Sequence, residues 1–247
     1  MLVPFTRLSP KKRFLVLIAA LLIALVSFGF FLDSTLYRQA KNEIDNRAHF
    51  FMDTMLAVRE YTSSDVNPII APLNFKSSSF LPEAVPSYAA TRVYSYLNKK
   101  KEYREYLYRE ATLNPTNLKD RADTFEARII EIFRANPATK EQEGTYSAAG
   151  EKLHYVARPI VINKASCLAC HSTPEKAPPS QLATYGTVSG FGWNLGEIVG
   201  AQIVSIPVEE VTAAKGIHFL SILLIFFLAL AVLSLLLVSL STVMRLR

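Results

Sequence analysis

Two cysteines and a histidine are spaced for one kind of chemistry. The only cysteines of the 247-residue chain are Cys167 and Cys170, and His171 follows them directly, giving the pentapeptide Cys-Leu-Ala-Cys-His. This C-x-x-C-H spacing is the attachment signature of a c-type haem. The adjacent histidine is then placed to bind the iron as its proximal ligand. The sequence therefore predicts one covalently bound haem c, attached through Cys167 and Cys170 and ligated by His171.

Two other interpretations of the C-x-x-C pair fit less well. A structural zinc site needs four ligands, and the nitrogen donors that remain elsewhere are His49, His154 and His218. A thioredoxin-like redox pair normally begins a helix after a strand. Here prolines 174, 178 and 179 follow within a few residues, which disfavours such a helix.

The ligand on the other side of the iron is less constrained. A third thiolate is excluded, and apart from the methionines near the two termini the chain has only Met52 and Met55. We predict Met55 as the distal ligand, because helical periodicity places it inside an apolar stripe with Met52 at the margin. His49 and His154 are alternatives, as are an open or water-filled position and a simple core-filling role for both methionines.

Residues 34–61 must position this candidate ligand. Their polar and apolar residues alternate with helical periodicity, so they predict one long helix that continues out of a membrane span. Arg59, one turn beyond Met55, is a candidate partner for a haem propionate, and a solvated surface charge is the alternative. The apolar stripe consists of Leu36, Ala40, Ile44, Ala48, Phe51, Met55 and Val58.

The remainder of the domain predicts helices followed by strands. The proline-rich segment Ser63–Pro86 is expected to be irregular, Ser87–Leu97 to be a short helix, and Asp120–Arg134 to be a second helix that ends before Asn136-Pro137. Strands are expected in the second half, with one apolar face on the last of them. They are Gly144–Ser147, Leu153–Val161 after a turn at Gly150, and Glu197–Val208 with Ile198, Gly200, Gln202, Val204 and Ile206 on one face. This order predicts an α+β fold. The loop that contains Cys167–His171, called the haem loop below, is expected between two of its strands.

Two uncharged segments bracket the domain. Phe14–Leu32 would be about 28 Å long as a helix, close to the thickness of a bilayer core. The second segment, 217–244, includes the uncharged run Phe219–Val243. A cleaved signal peptide is the alternative for the first, but bulky residues occupy the place of a small-residue cleavage site. We therefore expect two transmembrane helices.

Basic residues give these spans an orientation. Arg7, Lys11, Lys12 and Arg13 precede the first span, and Arg245 and Arg247 follow the second, so residues 1–13 and 245–247 are expected in the cytoplasm. These six charges account for the net charge of +6, because residues 33–216 carry equal numbers of acidic and basic groups. The basic balance thus reports membrane topology and not nucleic-acid binding. Residues 33–216 are expected to form one periplasmic domain of an inner-membrane protein.

Six short motifs follow one another along the domain. They are Val58–Thr62, Val85–Ala90, Tyr108–Asn117, Arg121–Asp123, Cys167–Pro178 and Tyr185–Trp193. In this order they resemble one known family, the bacterial haem-c sensor domains with a PAS-like fold, and the resemblance covers about residues 40–211. It implies a PAS-like sheet, a single covalent haem, and signal input through iron chemistry in a two-span membrane signalling protein.

Sensing is the first functional hypothesis. A change of iron charge, or a small diatomic ligand, would alter the packing of the long helix and pass a signal across the membrane. A kinase or cyclase output domain is expected either on a separate cytoplasmic signalling protein or on a longer receptor of which this chain is the input module, and a homodimer is left open. The alternative is a membrane-anchored monohaem cytochrome with a redox partner. No catalytic constellation is found, so an enzyme is not expected.

Overall fold

The computed structural model describes residues 9–208 and 220–230. Its helices are α1 (Pro10–Tyr61), α2 (Asn67–Asn74), α3 (Pro86–Leu97), α4 (Thr124–Ala135), α5 (Leu168–His171), α6 (Pro179–Tyr185) and α7 (Leu220–Leu230). Its strands are β1 (Leu107–Thr112), β2 (Gln142–Ala148), β3 (Glu151–Val161) and β4 (Ile198–Pro207). The long N-terminal helix and the strands confirm the predicted α+β class.

The four strands form one antiparallel sheet in the order β1-β4-β3-β2. Strand β4 is buried along its whole length because it lies between β1 and β3. The predicted hairpin is confirmed: β2 and β3 are joined through Ala149 and Gly150, which have φ of 51° and 85°. Positive φ at both central residues matches the twist of the flanking strands. The haem loop lies between β3 and β4, also as predicted.

The two faces of the sheet are covered by different chemistry. On one face, α4 packs Ile129, Ile130 and Phe133 into an apolar cluster with buried residues of β1, β3 and β4, and the partly buried Tyr146 of β2 packs against it. On the other face, polar residues of α1 reach the strands. Asp45 lies 3.0 Å from His154 on β3, and Arg59 pairs with Glu110 on β1.

Strand β1 was not expected in the helical half of the chain. Charged side chains extend from both faces of this strand. Arg109 pairs with Glu126 on the α4 face, and Glu110 pairs with Arg59 on the α1 face. Buried ion pairs therefore replace the apolar alternation by which a strand is recognised.

The predicted face of the last strand was wrong at one residue. Ile198 belongs to the apolar cluster under α4, whereas Gln202 contacts Tyr108 on the opposite face. The pairing with β3 shifts between Ile160 and Val161, so the strands are irregular at this point. A bulge of this kind reverses the side-chain alternation beyond it.

Two helix boundaries also differ from the predictions. Residues 67–74 of the segment expected to be irregular form α2, with Pro68 in the first turn, where a missing N–H costs little. Helix α4 begins at Thr124, later than expected, because Asp123 and Glu126 form a capping box there. Helix α3 agrees with its prediction.

The chain divides into two compact units, Met1–Glu43 with Glu209–Arg247, and Ile44–Val208. In the first unit, the rings of Phe28 and Phe226 stack with their centroids 4.3 Å apart. One described helix, α1, is long and apolar enough to cross a membrane, by length and composition. The predicted second span lies largely outside the described residues; within it, 220–230 is helical.

Candidate haem-binding site

The C-x-x-C-H pentapeptide lies in the loop between β3 and β4. A short turn at Ala165–Cys167 leads into α5, so both cysteines and His171 lie on successive helical turns. Both thiols are free and partly buried. Burial, and then the neighbouring Cys167, raise the pKa of the Cys170 thiol to about 11. Gln181 of α6 fixes the backbone here by donating to the carbonyl of Cys170 at 3.0 Å.

One nitrogen of His171 is held by backbone. Its Nδ1 lies 2.8 Å from the carbonyl oxygen of Gly190 and 3.3 Å from the Thr116 hydroxyl. A carbonyl can only accept, so Nδ1 carries the proton and Nε2 holds the lone pair that a metal requires. Burial lowers the pKa of His171, which also favours the neutral ring.

The plane of the His171 ring is fixed by Trp193. The two rings stack with centroids 3.9 Å apart and an interplanar angle of 12°. The backbone N–H of Trp193 also donates to the carbonyl of His171 at 3.2 Å. Tautomer and ring orientation are thus both set by residues outside the pentapeptide.

Two segments that are distant in sequence hold the backbone around His171. Asn114 accepts from the N–H of Gly190 and donates to the carbonyl of Phe191, both at 3.0 Å. Gly190 has a φ of 83°, and a Cβ there would lie 2.1 Å from the Thr116 hydroxyl. Only glycine fits this close approach. The sequence motifs at 108–117 and 185–193 are therefore one structural unit, although no role was assigned to these residues from sequence.

The end of α1 lies beside the pentapeptide. Lys164, just before it, donates to the hydroxyl of Ser63 at 3.0 Å and pairs with Glu60 at 3.3 Å. These contacts place the last turn of α1 and the start of the haem loop together.

Arg59 is not a solvated surface charge. It pairs with the carboxylate of Glu110, whose side chain is only 3% exposed, and Glu110 also accepts from the hydroxyl of Tyr108. Burial acts to lower the pKa of Arg59, but the charge and hydrogen bond of Glu110, together with Tyr108, act against it and the pKa is raised. Burial, then the Glu110 charge, raise the pKa of Tyr108 well above its usual value. The guanidinium is therefore charged and immobilised beside the haem loop.

Both internal methionines are fully buried. Met55 agrees with its predicted position in the stripe, whereas Met52, expected at the margin, has no exposed surface either. Along the helix axis Met55 lies about 6 Å from Arg59 and Met52 about 10 Å. Of the two, Met55 is the nearer to the haem loop.

The two candidate histidines lie farther away. His49 donates from Nδ1 to the carbonyl of Asp45 and pairs through Nε2 with Glu141 at 2.8 Å. It is about 15 Å along α1 from Arg59. His154 lies opposite Ile206, near the start of β3, about 23 Å along the strand from Val161 and the haem loop. The structure does not bring either histidine to His171.

The fold and site define an α+β domain with a four-stranded antiparallel sheet, a long N-terminal helix and a cysteine-histidine loop between its last two strands. The Tll0287-like family model matches residues 37–207, and the chain belongs to this family. The crystal structure of the cyanobacterial heme-protein Tll0287 is similar, with a TM-score of 0.50 and 16% identity, over 67% of this chain and 95% of that one. At this low identity, the structural similarity shows a common fold and nothing further. A comparison with curated proteins gave no match.

Proposed function

We propose that this protein binds one haem c covalently through Cys167 and Cys170, with His171 as the proximal ligand. The observation that carries the proposal is the backbone-held imidazole, whose Nδ1 is committed to Gly190 and whose Nε2 has the lone pair. A metal-ligating histidine normally has this arrangement, because the second hydrogen bond fixes the ring and raises its basicity. The family relation, and the similarity to a crystal structure that is described as that of a heme-protein, support it.

The residues of this site fit a covalently bound haem. Two free thiols at the right spacing are available for thioether bonds, and Arg59 supplies a fixed cation for a propionate. When bound, haem would supply a reversible one-electron change at iron and a position for a small ligand. Trp193 and Gly190 hold the imidazole in place. The pair of Arg59 and Glu110 connects the end of α1 to β1.

We further propose Met55 as the distal ligand. It is the buried methionine one turn before Arg59, on the part of α1 that lies beside the haem loop. Met52, His49 and His154 remain the tested alternatives, ordered by their distance from that loop.

The domain is proposed to be a membrane-anchored sensor with a PAS-like fold. The span at residues 14–32, a second span at 217–244 and a periplasmic domain are supported by the apolar length of α1 and the flanking basic residues. Because α1 contains the proposed distal ligand and is helical from Pro10 to Tyr61, a change at that ligand would act on the helix that enters the membrane. We infer a separate cytoplasmic signalling partner and no enzymatic activity of the domain itself.

Covalent attachment is tested by denaturing electrophoresis with haem staining and by acid-acetone extraction. Wild-type chain should keep its haem through both. Replacement of Cys167 and Cys170 by alanine should abolish retention, while a control replacement of Ser166 by alanine should not change it.

Haem released from the wild-type chain, or retained by the double variant, would contradict the proposal. Sensing is separated from electron transfer by CO, which should bind ferrous iron in a sensor with a displaceable distal ligand and change protease sensitivity at the end of α1. If CO neither binds nor changes this cleavage, a simple electron carrier is the better description.

A further inference from the structure

A second group of metal-ligating side chains lies far from the haem loop. Asp45 of α1, Glu143 of β2 and His154 of β3 bring one ligand atom each to within 4.8 Å of one another. The three residues belong to different elements, so only the tertiary fold brings them together. We propose that they bind one divalent cation of the zinc type, and that this cation joins α1 to the β2–β3 hairpin.

The distances suit a small tetrahedral ion. Zinc binds imidazole nitrogen and carboxylate oxygen at about 2.0–2.2 Å, which separates neighbouring tetrahedral ligands by roughly 3.3 Å. The Nε2 of His154 and the Oδ1 of Asp45 are 3.0 Å apart. These two atoms therefore already have nearly the spacing of one edge of such a site.

The burial of His154 and Asp45 favours a bound cation between them. The side chain of His154 is 7% exposed and that of Asp45 23% exposed. The Oδ1 of Asp45 is itself buried and accepts no hydrogen bond from the described residues, so the 3.0 Å approach lacks hydrogen-bond geometry. A buried carboxylate oxygen is costly unless a proton donor or a metal neutralises it.

Glu143 is the third ligand, and because it is exposed, a cation can enter the site from solvent on its side. It is exposed on the edge strand β2, diagonal to His154 across the ladder, because Thr145 is the residue directly opposite His154. Its side chain can change rotamer without disturbing the core. Three protein ligands with water in the fourth position would complete the tetrahedron.

The choice of cation follows from the donors. One imidazole with two carboxylates suits zinc or another borderline transition metal, whereas calcium and magnesium prefer oxygen ligands alone. The proposal is independent of haem, because the site uses no residue of the C-x-x-C-H loop and lies about 23 Å along β3 from it.

The test uses the full chain, purified in detergent with its haem and without a polyhistidine tag. After removal of metals with a chelator, it is dialysed against zinc ion and then against metal-free buffer, and zinc and iron are counted by elemental analysis. One zinc per chain is expected. Calorimetric titration with zinc ion then gives the affinity.

Variants locate the site. Asp45→Asn keeps the shape of a partly buried residue, and Glu143→Gln changes an exposed one, so both chains should fold. Each should weaken zinc binding by at least the 10–100-fold that loss of a supporting residue around a metal causes. Glu151→Gln, an exposed carboxylate on β3, is the matched control and should bind like wild type. Zinc should also raise the Tm of wild type and control but not of Asp45→Asn.

Absence of zinc from the wild-type chain after dialysis would overturn the proposal and leave a plain histidine–aspartate ion pair. Equal zinc affinity in wild type and both variants would also overturn it, since the bound metal would then lie elsewhere.

Discussion

Two histidines, one in the loop after β3 and one near the start of that strand, are held by different kinds of partner. His171 contacts a backbone carbonyl and a hydroxyl, whereas His154 contacts a carboxylate. A carbonyl selects a neutral tautomer and leaves the other nitrogen to a metal, while a carboxylate favours a cation in or beside the ring. The partner of a histidine thus decides its chemistry more than its burial does.

The arginines that tie α1 to the sheet show the same contrast. Arg59 pairs with Glu110, whose side chain is 3% exposed, whereas Arg158 pairs with Asp53 and Glu141, whose side chains are 64% and 28% exposed. Only the first pair is removed from water. Its loss should therefore be felt far more strongly.

The largest expected effect is that of Arg59→Met. It leaves the buried carboxylate of Glu110 without its cation, which costs about 3–5 kcal/mol in the free energy of unfolding. Arg158→Met, the control on β3, should cost about 1 kcal/mol, because its carboxylate partners remain in contact with water. Denaturant unfolding measures both losses, and equal losses would show that the two arginine sites do not differ as described.

Met55→Ala should cost about 2–5 kcal/mol because a fully buried side chain is removed. Met52→Ala is a matched control with the same burial and the same core cost. Only Met55→Ala should abolish the near-infrared sulfur-to-iron band of the ferric protein and open the iron to CO. Loss of the band in Met52→Ala instead would identify Met52 as the ligand. An unchanged spectrum in both variants would show that neither methionine binds the iron.

Gly190→Ala should destabilise the protein more than Gly186→Ala. Gly190 and Gly186 have similar positive φ of 83° and 81°, but an added Cβ meets Thr116 only at position 190. Both changes place a Cβ at positive φ, so the difference of about 1–3 kcal/mol in their free energies of unfolding measures the clash. The clash should also displace the carbonyl that holds His171. The absorption spectrum of the haem protein should then change in Gly190→Ala alone, and a change common to both variants would assign the effect to backbone strain.

The smallest effect concerns pH. The hydrogen bond to Glu141 is the main reason that the pKa of His49 is raised above its ordinary 6.5. The contribution of His49 to stability is therefore fully present below pH 6.5 and is lost as pH rises through the raised pKa of the folded state. In NMR titrations, Glu141→Gln should move this pKa back toward 6.5. A titration unchanged by Glu141→Gln would separate His49 from that carboxylate.

Much of the architecture could be predicted because it follows from local periodicity. The apolar stripe of α1, the short helix over 87–97 and the turn at Gly150 each depend on residues close together in sequence, and all three predictions were confirmed. The irregular structure predicted for residues 63–86 was wrong at Asn67–Asn74, which is helical, since a proline in the first turn of a helix is tolerated. Strand β1 was missed because its charges are neutralised by partners on both faces of the sheet.

The sequence by itself determined the α+β class, the long first helix and the C-x-x-C-H loop between strands, because spacing and periodicity are properties of the covalent chain. Only the tertiary structure decided the contacts of the histidines. Thr116 and Gly190 meet His171 from segments 55 and 19 residues away, and Asp45 meets His154 across the α1–sheet interface. Such contacts depend on strand register and loop closure, for which no local pattern exists.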